Sequence, residues 1–86
     1  MSLEKPRQKL KILIVEDSLT AQKLLVNILE KDPDLSVIGV ASSGEEALKM
    51  LKSLNPDVIT IDIHMPGMNG LDVTRKIMET TPIPII

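Results

Sequence analysis

Three short aliphatic runs, separated by stretches of helical periodicity, set the strongest limit on how this chain can fold. Leu10 to Val15 reads Leu-Lys-Ile-Leu-Ile-Val, and Leu35 to Ala41 reads Leu-Ser-Val-Ile-Gly-Val-Ala. Asp57 to Ile63 reads Asp-Val-Ile-Thr-Ile-Asp-Ile. Each is rich in Ile and Val and of strand length, and such runs suit parallel strands covered on both faces. Between the first two, Ala21, Leu24, Leu25, Ile28 and Leu29 recur at helical spacing behind Asp17 or Ser18, either of which can serve as N-cap. Asp32-Pro33-Asp34 stops that helix, because proline cannot continue the backbone ladder. Ser42 with Glu45 and Ser43 with Glu46 form two overlapping capping boxes ahead of a second helix. Its apolar face is Ala47, Leu48, Leu51 and Leu54, and Asn55-Pro56 ends it. A third helix runs from Leu71 to Glu79, and Thr81-Pro82-Ile83-Pro84-Ile85-Ile86 opens a fourth strand.

Strand and helix in alternation predict an α/β fold, a doubly wound parallel sheet of order 2-1-3-4 with right-handed crossovers. Ser36 and Gly39 suit the second strand to an edge. The 86 residues allow one small domain, with residues 1–9 a flexible leader and residues 10–86 the folded part. Aromatic residues are 0%, so the core must be built from aliphatic side chains, and base-stacking platforms for single-stranded nucleic acid are excluded. A net charge of -2 argues against binding a phosphate backbone, so no nucleic-acid partner is expected. Lys5, Arg7, Lys9 and Lys11 near the start read as a solvated tail. The absence of cysteine removes disulfides and thiolate metal sites from consideration. No apolar run nears the roughly 20 residues that cross a bilayer, and the first residues lack a signal peptide. The expected compartment is the cytoplasm, with no membrane partner.

The acidic residues supply the chemistry. In open parallel sheets, ligands bind outside the carboxyl ends of the strands, at the switch in strand order. Glu16 and Asp17 follow the first strand and Asp62 lies at the carboxyl end of the third, the first strand's neighbour in the order 2-1-3-4. Three carboxylates converging on one rim repel one another unless a cation sits among them. A hard divalent ion with oxygen ligands fits, and Mg²⁺ is the natural candidate because it needs few protein ligands. Asp17 taken alone is equally explained as a helix cap.

Ile12-Leu13-Ile14-Val15-Glu16-Asp17-Ser18, Asp57-Val58-Ile59-Thr60-Ile61-Asp62 and Met65-Pro66-Gly67-Met68-Asn69-Gly70 together resemble the receiver domain of two-component response regulators. The resemblance runs from about Leu10 to Ile86 and implies a flavodoxin-like receiver fold, truncated after the fourth strand. It implies that Asp62 is the phosphoacceptor for a histidine kinase. It further implies that Glu16, Asp17, Asp62 and the backbone carbonyl of His64 hold Mg²⁺. The His64 imidazole is a bystander in this reading, while Pro66 fixes the loop beside the nucleophile and Gly70 admits a tight entry to the third helix. Met65 to Ile86 is similar to receivers of the chemotaxis protein-glutamate methylesterase, a family in which an esterase effector domain follows.

Two groups of the receiver pattern have no match: a Ser or Thr after the fourth strand, and a Lys at the end of a fifth. The sequence therefore reads as the N-terminal portion of a receiver, expected to self-associate through an exposed Ile83-Pro84-Ile85-Ile86 edge or to be marginally stable. The alternative is a pseudo-receiver that is not phosphorylated and acts as an interaction or dimerisation module. An aspartyl phosphatase would carry its nucleophile after the first strand in an Asp-x-Asp arrangement, which is not the pattern here. A nucleotide-binding fold would need glycine in the first turn, and Glu16-Asp17-Ser18-Leu19-Thr20 has none.

Overall fold

The computed structural model describes residues 9–62, 70–80 and 82–86. The predicted strands and helices follow one another in the expected order: β1 (Leu10–Val15), α1 (Leu19–Glu30), β2 (Leu35–Ala41), α2 (Gly44–Met50), β3 (Val58–Ile61) and α3 (Gly70–Thr80). The three strands form one parallel sheet in the order β2-β1-β3, which places β2 at an edge as expected. From β1 the chain steps outward to β2, then returns past β1 to β3. With right-handed crossovers, that reversal sends α1 to one face of the sheet and α2 to the other.

The core lies on the α2 and α3 face. Leu13, Val15, Ala41 and Ile59 from the sheet meet Ala47 of α2 and Val73 and Ile77 of α3, all fully or almost fully buried. Side chains alternate across a strand, so Leu13 and Val15 point to one face while Ile12 and Ile14 point to the other. Gly39 sits at a close approach between β2, β1 and the segment after α2. A Cβ there would lie 3.0 Å from Leu54 Cδ1 and 3.1 Å from Leu13 Cδ1. The pairing of β1 with β2 shifts at this place, from Ile12 opposite Val37 to Leu13 opposite Gly39, which leaves Ile38 as an extra residue on the edge strand. Such a bulge is a common protection of sheet edges.

One of the two expected caps of α1 is used, while the start and end of α2 differ from the expectations. Ser18 is the N-cap of α1, its hydroxyl accepting from the Ala21 amide at 3.2 Å. Ser43 caps α2 by accepting from the Glu46 amide, while the Glu46 carboxylate reaches back to the Ser42 amide at 2.8 Å. One capping box therefore forms, reaching one residue further back than the usual pattern. Helix α2 ends at Met50, and Lys52 and Ser53 close a tighter turn onto Lys49 and Met50. Leu54 still packs against the core.

On the opposite face, the α1 stripe is only partly covered. Ala21, Leu25 and Leu29 are half-buried, but Leu24 is 58% and Ile28 52% exposed. Among the described residues, the fourth strand is reduced to a single parallel bridge between Ile85 and Ile59. The Ile59 amide donates to the Pro84 carbonyl, and the Ile86 amide to the Ile59 carbonyl. Pro82 and Pro84 carry no N–H, which limits how far a ladder can run here.

Candidate functional site

Each acidic residue of interest sits one or two positions beyond a strand whose end is pinned to its neighbour. The Glu16 amide donates to the Ala41 carbonyl of β2 at 2.9 Å, and the Asp62 amide to the Val15 carbonyl of β1 at 3.1 Å. These bonds extend the parallel ladder by one rung past β1 and β3. The backbone that launches the Glu16 and Asp62 carboxylates is thus fixed by the sheet. Carboxylate oxygens of Glu16, Asp17 and Asp62 lie within 4.8 Å of one another. Glu16 and Asp62 are half-buried and Asp17 is exposed, so the cluster opens to solvent on one side.

The Glu16 carboxylate accepts from the Ser18 amide at 3.1 Å. Burial pushes the Glu16 carboxyl above the ordinary glutamate range, the Ser18 amide pulls it back, and neighbouring Asp17 and Asp62 push it up again. A group held that way is short of positive charge. Among the described residues, the set offers three carboxylates and no nitrogen or sulfur donor, which is the hard, all-oxygen chemistry that suits Mg²⁺.

The chain matches the response regulator receiver domain family over residues 12–86. This protein belongs to that family. Among curated relatives, the receiver is 54% identical over 77 residues to a protein-glutamate methylesterase/protein-glutamine glutaminase of Syntrophus aciditrophicus. It is 53% identical over 76 residues to one of Geobacter metallireducens. The match to the first covers 90% of this chain and 22% of the relative, so the receiver spans about a fifth of the curated relatives it matches. Among solved structures it is similar to the response regulator domain of Thermotoga maritima CheB, with TM-score 0.86 and 37% identity, over 91% of this chain and 58% of that one. It is also similar to the response regulator TrrA of Thermotoga maritima in complex with Mg²⁺-BeF, with TM-score 0.76 and 37% identity, over 83% and 60% of the two chains. The receiver therefore carries the doubly wound parallel fold expected of it and is of the kind found in chemotaxis CheB proteins.

Of the predicted site residues, Glu16, Asp17 and Asp62 come together, whereas His64 and Pro66 lie outside the described residues. Gly70 is the buried first residue of α3. Asp57, the other acidic residue of the third run, lies at the far end of the sheet, where its carboxylate accepts from the Lys11 amide at 2.8 Å. Sequence reasoning gave Gln22 no role. Its side-chain amide donates to the Glu16 carbonyl oxygen and to Ser42 Oγ, joining α1 to the loops after β1 and β2. The available signal was a long amide side chain four residues after the N-cap, since helical side chains lean back toward the N-terminus. Among the described residues, no helix is long and apolar enough to cross a membrane.

Proposed function

We propose that this receiver accepts a phosphoryl group on Asp62 from the phosphohistidine of a histidine kinase, with Mg²⁺ held by Glu16, Asp17 and Asp62. A carboxylate oxygen of Asp62 attacks phosphorus, an O–P bond forms, and the P–N bond to the donor imidazole breaks. The imidazole leaves with the bonding electron pair and takes its proton from solvent, and Asp62 becomes a mixed anhydride. Phosphoryl transfer asks a protein mainly for positioning and charge stabilisation. The ladder bonds at Glu16 and Asp62 provide the positioning, because both carboxylates stand on backbone that the sheet holds. Bound Mg²⁺ supplies the neutralising charge for the cluster and for the incoming phosphoryl oxygens. By family resemblance the His64 carbonyl would complete the protein ligands.

The observation that carries this reading is the gathering of three carboxylates within 4.8 Å at the carboxyl ends of adjacent parallel strands. The Mg²⁺-BeF complex of a relative 37% identical supports the choice of cation. The likeness to methylesterase relatives supports a longer parent protein with a methylesterase effector, working in chemotaxis in the cytoplasm, with residues 10–86 as the N-terminal portion of its receiver. The test is incubation with acetyl phosphate and Mg²⁺ followed by intact-mass measurement. A phosphoryl adduct that is lost in Asp62→Asn is expected. An adduct that survives that substitution, or none on the parent sequence, overturns the assignment.

A further inference from the structure

We propose that Gln22 is a positioning residue for the acidic site, holding the Glu16–Asp17 peptide in the orientation that cation binding needs. The inference rests on the cation reading of the same site. Asp17 belongs to neither strand nor helix, so nothing in the regular ladders fixes the direction of its side chain. The peptide that launches it begins at the Glu16 carbonyl, which accepts from Gln22 Nε2. The preceding amide of Glu16 is already held by the Ala41 carbonyl at 2.9 Å. Glu16 is therefore clamped on both sides, by the sheet on its N–H and by α1 on its C=O. The second N–H of the Gln22 amide goes to Ser42 Oγ at 3.2 Å. Ser42 in turn is fixed through its own amide by the Glu46 carboxylate. Gln22 Nε2 thus stands between two loops, each anchored independently: one after β1, and one between β2 and α2.

The consequence follows from the demands of the ion. Mg²⁺ takes near-ideal octahedral geometry with short bonds, so a carboxylate that wanders by a fraction of an ångström loses affinity. Groups that orient metal ligands without touching the metal typically account for about 10- to 100-fold in affinity. With the Gln22 donor removed, the Glu16–Asp17 peptide plane is free to rotate, and Asp17 samples directions that do not face Asp62.

The experiment is a Mg²⁺ titration of the isotope-labelled chain, following the backbone amide resonances of Asp17 and Asp62. The wild type is compared with Gln22→Met, which keeps side-chain length and packing but has no N–H donor. Because native resonances report only folded molecules, a purely structural role for Gln22 would lower the melting temperature and leave the measured Kd in place. The expected result is a Kd raised about tenfold in Gln22→Met. Ser42→Ala, which removes one of the two acceptors, is expected to raise it about threefold and decides the matter if Gln22→Met does not fold. A Kd within about twofold of wild type in the folded variants overturns the role of Gln22 alone. Wild-type amides that do not respond to Mg²⁺ overturn the cation reading, and this inference with it.

Discussion

In the absence of divalent cation, Asp62→Asn stabilises the fold. The three carboxylates have oxygens within 4.8 Å of one another. At that separation two unit charges repel by about 0.9 kcal/mol even with the full dielectric of water. Neutralising Asp62 relieves two such pairs, about 2 kcal/mol at low ionic strength. Screening at physiological salt roughly halves the effect, because the Debye length there is about 8 Å. For a domain of this size, a change of about 1 kcal/mol moves the melting temperature by about 4–8 °C. The chain has no aromatic residue, so unfolding is followed by far-ultraviolet circular dichroism, in EDTA at about pH 7.5, where carboxylates are ionised. The variant should melt above wild type in low salt, and the gap should narrow in higher salt. Adding Mg²⁺ at about one hundred times its Kd stabilises the wild type by about 2.7 kcal/mol and reverses the order. An Asp62→Asn variant that melts below wild type in EDTA, or a gap that salt does not change, refutes the electrostatic account of this cluster.

Three further outcomes follow from the packing and the charge of the site. Because Glu16 has a raised pKa in the fold, its contribution to stability is fully present below the ordinary glutamate value of 4.5 and is lost as pH rises through its folded value. Comparing wild type with Glu16→Gln in EDTA between about pH 4 and 8 isolates that slope, which should be absent in the variant. Gly39→Val forces a side chain against Leu13 and Leu54 and should cost about 1–3 kcal/mol, read from the urea midpoint. Ile77→Ala empties a fully buried position and should cost about 2–5 kcal/mol by the same measurement, whereas Leu24→Ala, at a 58% exposed site, should cost less than about 1 kcal/mol.

What the sequence made legible is what local chemistry decides. The aliphatic runs at Ile12–Val15 and Val58–Ile61 announce buried strands because few alternatives accept so many β-branched residues side by side. The order of strands then puts Glu16, Asp17 and Asp62 on one rim without any knowledge of side-chain contacts. The departures arise where the outcome depends on neighbours distant in sequence. The periodic stripe of α1 says that Leu24 and Ile28 can be buried, not that a covering element is present above them. The early end of α2 at Met50 follows from a turn that tightens so that Leu54 reaches the core beside Gly39. The Gln22 bridge spans 20 residues to Ser42, a distance at which no periodicity gives warning. At the fourth strand, two prolines oppose an otherwise strand-like composition, and only one bridge results among the described residues.

The central claim is that Glu16, Asp17 and Asp62 form one divalent-cation site at the carboxyl edge of the sheet. Anomalous diffraction from crystals of the protein soaked in Mn²⁺ tests it most directly. The account predicts a single strong peak within bonding distance of oxygens from Asp17 and Asp62, with Glu16 facing it directly or through water. A map with no peak there, or with its strongest peak on other carboxylates, contradicts it.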